Sequence, residues 1–124
     1  MNGITFDTGA LIALERRRAS MARVYTTAVD AGVPIIAPAV VIAEWWRGAS
    51  NTRERILRGV RIEQTDTQLM KAAGEALATM RSATVVDAIV MASAARRGNV
   101  VYTADVDDLE ALGAFFRGVR VLSC

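Results

Sequence analysis

The chain has 124 residues, of which 52% are apolar, and carries a formal charge of +2 with no histidine. That is enough apolar matter to cover both sides of a central layer in one domain, and it excludes a disordered or purely extended protein. The single cysteine, Cys124, excludes an internal disulfide and, in a chain without histidine, a zinc site.

No run of about 18 apolar residues occurs, and Met1 to Ala10 lacks the basic start and apolar stretch of a secretory signal. The expectation is a cytoplasmic protein, not bound to membranes, whose residues 1–124 form one domain. All basic residues but Lys71 are arginine, and several are grouped, as in Arg16-Arg17-Arg18, Arg53 with Arg55 and Arg58, and Arg96-Arg97. Guanidinium forks suit phosphate, although a solvated face has the same composition.

In chain order, Gly3 to Phe6 reads as a short strand and Gly9 to Arg17 as a helix. Met21, Val24, Tyr25, Ala28 and Val29 follow at helical spacing, closed by Gly32. Val33 to Ile36 is a buried-strand run, with Pro38 placed in the first turn of the next helix. That helix carries Val41, Ile42, Trp45 and Trp46. A helical piece from Thr52 to Gly59 leads into an alternating strand, Val60 to Gln64. Leu69, Met70, Ala73, Leu77 and Met80 then repeat at helix period. Thr84 to Arg97 is a strongly apolar helix and Asn99 to Thr103 a strand. Leu109, Leu112 and Phe116 mark one more helical face, and Val119 to Leu122 is the last strand.

Short apolar strands separated by helices imply right-handed crossovers and a parallel sheet covered on both faces, hence an α/β sandwich of about five strands. Ligands of such sheets bind beyond the carboxyl ends of the strands, where strand order reverses. Asp7 follows the first strand, and Asp105 follows the strand ending in Tyr102-Thr103, with Asp107 and Asp108 beyond. Asp87 is the sole charge in Val85 to Ala92, and Glu44 the sole charge in Ala39 to Trp46. A carboxylate withdrawn from water must be paired, hydrogen-bonded, protonated or bound to a cation. Each acid also has a plainer explanation. Asp7 or Asp105 could cap the following helix, Asp87 could pair with a buried arginine, and Glu44 could face solvent beside Arg47.

Taken together, four acids without histidine or a neighbouring lysine point to hard oxygen ligands for Mg²⁺ or Mn²⁺. Such a centre suits phosphodiester hydrolysis, with a carboxylate sharing the general-base role.

Phe6-Asp7-Thr8-Gly9-Ala10-Leu11-Ile12-Ala13-Leu14 resembles the opening of the VapC-type PIN-domain toxins of bacterial toxin–antitoxin pairs. Pro38 to Glu44 resembles that family's second motif, Asp87 to Ala92 its third, and Tyr102-Thr103-Ala104-Asp105 with Asp108 its last. The resemblance covers nearly the whole chain, which is somewhat short for the family and has Ala37 where a hydroxyl or acidic cap is usual. It implies a five-stranded parallel sheet of order 3-2-1-4-5 with helices on both faces. It implies a Mg²⁺-dependent endoribonuclease in which Asp7, Glu44, Asp87 and Asp105 are the catalytic and metal-binding acids, with Thr103 and Asp108 in support. It also implies an RNA substrate, a VapB-like antitoxin and a homodimer, assembled with antitoxin into a heterotetramer or larger.

The alternatives are a catalytically inactive PIN-like module and a receiver-like signalling module, which would need a lysine after the final strand. Three further expectations follow. Asp7→Ala, Asp87→Ala and Asp105→Ala should abolish cleavage while keeping or raising stability. The helix from Thr84 to Arg97, apolar nearly all round, should contribute to a dimer interface. Leu11, Leu14, Val24, Tyr25, Trp45 and Trp46 should offer an apolar groove to the antitoxin, which would extend a basic side chain toward the acids.

Overall fold

A computed structural model describes residues 2–124 of the chain. The first strand, β1 (Ile4–Phe6), runs into helix α1 (Thr8–Glu15) through Asp7, whose side chain accepts the Ala10 N–H. Helix α2 (Ala19–Ala31) ends at Gly32, and a later helix, α6 (Val85–Arg97), ends at Gly98. Both glycines stand at φ +69°, the left-handed geometry that closes a helix without a Cβ clash. Between them lie β2 (Ile35–Pro38), α3 (Ala39–Trp45), α4 (Asn51–Arg58), β3 (Arg61–Glu63) and α5 (Thr67–Thr79). Ser50 caps α4, Asp66 caps α5 and Thr84 caps α6, each accepting a first-turn N–H. The chain closes with β4 (Val100–Thr103), α7 (Val106–Leu112) and β5 (Val121–Ser123).

All four strand pairings are parallel, in the order β3-β2-β1-β4-β5. Order reverses between β1 and β4, so the crevice for a ligand opens where Asp7 and the residues after Thr103 emerge. The same order excludes the receiver-like alternative, because receiver domains are wound 2-1-3-4-5.

Several sequence expectations shift. The second strand begins at Ile35, and Pro38 is its last residue and the N-cap of α3 rather than a first-turn residue. A fixed φ near −60° serves an extended strand end as well as a helix start. Helix α7 stops at Leu112, yet Phe116 remains buried, because its N–H bonds the Leu112 carbonyl at 2.9 Å and continues the helical path for a turn.

The α6 helix is the larger correction. Seven consecutive residues, Ala88 to Ala94, are buried within this one chain, and of the helix's large apolar side chains only Val85 at the start is widely open, at 59% exposed. The apolar surface assigned to a dimer interface is therefore the centre of the monomer's core. Leu11, Leu14 and Trp45 are likewise core residues and offer no groove, leaving Val24, Tyr25 and Trp46 half-buried. The Trp45 indole N–H donates to Glu15 Oε1 at 2.9 Å, and Glu15 pairs with Arg53 at 2.8 Å.

Asn99 ties the foot of β4 to β1. Its Oδ1 accepts the Gly3 N–H at 2.8 Å and its Nδ2 donates to Thr5 Oγ1 at 3.2 Å, both inside the protein. At the other edge, Glu63 is buried and accepts Arg97 Nε at 2.5 Å, with Arg96 at 3.3 Å and the Ser93 hydroxyl close by. Burial alone would raise the Glu63 pKa, but Ser93 and the two arginines hold it below its ordinary 4.5.

A carboxyl whose folded pKa is lowered adds stability at pH values above its unfolded pKa, and that stability is lost as pH falls through the folded value. Glu63→Gln should therefore be less stable than wild type at pH 7, with the gap closing as urea melts are repeated below pH 4.5.

Candidate active site

Asp7 is only 5% exposed although it is charged, so its oxygens need partners. The register of β1 with β4, Phe6 opposite Tyr102, brings Asp7 beside Thr103 one step further on. Oδ1 accepts the Ala10 N–H at 2.9 Å, and Oδ2 accepts the Thr103 hydroxyl in a short hydrogen bond. Thr103 Oγ1 in turn accepts the Asp105 N–H at 2.9 Å. Asp7 is thus a helix cap and a member of the acidic cluster at once. Burial raises its pKa above the ordinary 3.8, the Thr103 and Ala10 hydrogen bonds oppose that rise, and the charges of Asp87 and Asp105 add to it.

Asp87 lies in the first turn of α6, where its N–H donates to Thr84 Oγ1 at 3.1 Å. Its pKa is raised as well, first by burial and then by the negative charge of Asp108, Asp105 and Glu44, against a lowering contact with Thr84. Glu44, on α3, is exposed and accepts the Thr8 hydroxyl at 2.6 Å. Asp105 is the N-cap residue of α7 but makes no side-chain cap bond, so its carboxylate is available to a ligand.

Asp7, Glu44, Asp87, Asp105 and Asp108 all line one cleft of about 230 Å³ at the strand-order reversal. Thr103 lies behind it, reaching the cleft through Asp7, and Asp107 lines a neighbouring hollow. No ion pair among the described residues involves any of the five cleft acids. Asp87 therefore has no arginine partner, and Glu44 does not lean on Arg47, whose guanidinium donates to the Trp46 carbonyl.

Three lining residues were not singled out from the sequence. Thr8 holds Glu44, and its signal was the hydroxyl next to Asp7. Thr84 and Asp87 have the spacing of a capping box, a hydroxyl residue three positions before an acid. Gly9 is required by close approach, since a Cβ there would stand 2.8 Å from the Ala104 Cβ and 3.1 Å from its backbone nitrogen. The start of α1 can press against the Asp105 loop only without that atom.

Among the described residues no three acidic side chains close into a ready-made metal cage. The donors are nonetheless all hard oxygens, and Mg²⁺ usually keeps several waters and binds through one or two carboxylates. The donor set fits such an ion, and the exposed Asp105 carboxylate, which makes no cap bond, is free to ligate it.

The family model for the PIN domain matches residues 4–114, and the chain belongs to the PIN-domain family. Its fold is also that of solved VapC toxins. It resembles the DNA-bound VapBC of Salmonella typhimurium at 17% identity and TM-score 0.73, covering 99% of this chain and 98% of that one. It resembles the DNA-bound VapBC2 of Rickettsia felis at 10% identity and TM-score 0.76, covering 98% of each chain. It is similar to VapC20 of Mycobacterium tuberculosis, a sarcin-ricin loop cleaving toxin, at 23% identity and TM-score 0.67, covering 95% of this chain and 99% of that one. No curated protein is matched by sequence.

Asp7, which is buried, and Asp87, which is half-buried, should behave differently when removed. Asp7→Ala deletes a helix cap and strands the Thr103 hydroxyl, so it should cost about 1–2 kcal/mol, contrary to the kept or raised stability expected from the sequence. Asp87 carries a raised pKa, so its contribution to stability is fully present below the unfolded value and lost as pH rises through the folded one. Asp87→Asn should raise the melting temperature at pH 7, and the gain should vanish when melts are run below pH 3.8.

Proposed function

We propose that this protein is a Mg²⁺-dependent endoribonuclease, the toxin of a toxin–antitoxin pair. The observation that carries the reading is the convergence of five carboxylates, without a cationic side chain to pair them, at the strand-order reversal of a PIN-domain sheet. Mutual repulsion of this kind is relieved by a divalent cation, with Mn²⁺ an acceptable substitute. Once bound, such an ion supplies Lewis acidity toward a phosphoryl oxygen and lowers the pKa of a water.

The chain's own residues then divide the remaining work. Asp105 and Asp87 would hold the ion, and Asp7, whose carboxylate has acceptor capacity beyond its two hydrogen bonds, would add negative charge beside it. Thr103 fixes the Asp7 carboxylate and, through the Asp105 N–H, the loop that carries the second acid. Glu44, steadied by the Thr8 hydroxyl, would orient the attacking water and accept its proton. Asp108 adds negative charge at the rim.

The likeness to VapBC assemblies supports a VapB-like antitoxin as partner, and the homodimer, heterotetramer or larger assembly belongs to the same reading. Val24, Tyr25 and Trp46 remain open enough to receive its apolar anchors. A basic side chain from the antitoxin would neutralise the acids in place of the metal. No helix among the described residues is long and apolar enough to cross a membrane.

Incubation of the protein with total RNA tests the activity. Cleavage with Mg²⁺ should disappear with EDTA, Asp105→Asn should be inactive with an unchanged circular dichroism spectrum, and Glu44→Gln should be about 100- to 10,000-fold slower. Cleavage that persists in EDTA, or in Asp105→Asn, would overturn the assignment.

A further inference from the structure

The acidic cleft has a chemical difficulty that the rest of the molecule must answer. An RNA strand is a polyanion, and five carboxylates repel it everywhere except at the metal, so attraction has to come from close by. Beside the acid cleft lies a wider groove of about 600 Å³, and the two share Thr8, Gly9, Glu44 and Asp105 in their walls. Its far side is formed by Arg16 and Arg18. Thr8, Ile12 and Arg16 follow one another at four-residue intervals along a single face of α1, so the groove runs from the acids to the arginines over about 12 Å of helix.

The turn that presents these arginines is built in an unusual way. The Arg18 N–H bonds the Ala13 carbonyl at 3.0 Å and the Arg17 N–H bonds the Leu14 carbonyl at 3.0 Å, the paired bonds of a Schellman helix end. The left-handed residue of that motif is ordinarily glycine, but here it is Arg17 at φ +58°, the one non-glycine with positive φ among the described residues. The fold thus keeps three consecutive arginines through a turn that glycine would make more easily. Arg16 and Arg18 are exposed and belong to no ion pair among the described residues, although Glu44 and Asp105 line the same groove. The charges are close enough to be sensed together. The Cys124 thiol in the groove wall is raised by burial, further raised by Asp7 and Asp105, and lowered by Arg18.

We propose that Arg16 and Arg18 form a phosphate subsite that holds the backbone of single-stranded RNA next to the phosphate engaged at the acids. The proposal rests on the nuclease reading above and adds the element that binds the strand. Guanidinium forks match phosphate oxygens bidentately, and contact with backbone alone makes the subsite indifferent to base sequence. Sequence or shape preference must then come from elsewhere on the surface.

The test separates the subsite from the nuclease reading. Binding of a fluorescent single-stranded RNA to the Arg16→Gln/Arg18→Gln double variant is measured in EDTA across a salt series. Each lost phosphate contact should lower the slope of log affinity against log salt by about 0.7, so the double variant should fall by about 1.4. Hydrolysis of bis(p-nitrophenyl) phosphate with Mn²⁺, a diester with no flanking phosphate, should match wild type, and the double lysine variant should recover part of the RNA affinity. Arg17→Gly, which relieves the left-handed backbone, should melt higher and keep the wild-type salt slope. A double variant with an unchanged salt slope would overturn the subsite. So would a proportional loss of small-diester hydrolysis, which would mean the acid site itself was disturbed. If wild type hydrolyses neither RNA nor the small diester, the nuclease reading fails, while the salt slope still decides whether the arginines bind RNA.

Discussion

A carboxylate almost closed off from water must have its oxygens occupied, and in this protein that requirement falls on Asp7 at the carboxyl end of the central strand. One oxygen accepts the Ala10 N–H and so starts α1; the other accepts the Thr103 hydroxyl and so locks β1 to β4 just beyond their last paired residues. Thr103 passes the constraint on by receiving the Asp105 N–H, which sets the path of the β4–α7 loop. The start of a helix, the closure of a strand pair and the position of a second acid therefore all depend on one side chain. Burial, with repulsion from Asp87 and Asp105 added to it, leaves Asp7 harder to ionise than an ordinary aspartate, a cost that a cation in the cleft would offset.

The remaining acids reach the same cleft on elements that the core holds rigidly. Asp87 is carried by α6, whose next seven residues are all buried, so its position is fixed by packing rather than by a flexible loop. Glu44 comes from α3, anchored by Val41 and Trp45 in the core, and is steadied by Thr8. Gly9 allows the first turn of α1 to lie against Ala104, which keeps the two halves of the crevice together. This is the arrangement expected where function requires like charges side by side: local repulsion held in place by packing elsewhere.

Much of this was legible in the sequence because the relevant signals are local. The strand–acid junctions at Asp7 and Asp105, the Gly32 and Gly98 helix ends and the alternation of strand and helix all depend on neighbouring residues. What was less legible depends on partners distant in the chain. An apolar helix such as α6 reads the same whether it is wrapped by its own monomer or by a second copy, and only the packing of α5 and the sheet around it decides. Trp45 and Trp46 are adjacent and chemically alike, yet one enters the core and the other caps the helix end half-exposed. Capping and clustering do not compete at Asp7, because a carboxylate has two oxygens and serves both. Thr8 and Thr84 passed as ordinary hydroxyl residues because their value lies in the acids they hold.

Whether the carboxylate cluster binds a divalent cation can be read without any substrate, by direct titration of Mn²⁺ followed by electron paramagnetic resonance. The wild-type protein should show saturable binding that tightens as pH rises above the ordinary carboxylate value of 3.8, because the ion competes with protons on Asp7 and Asp87, both raised above it. Asp105→Asn should weaken that binding. Absence of saturable binding at millimolar Mn²⁺, or binding indifferent to both pH and Asp105, would contradict a cation site in the cluster.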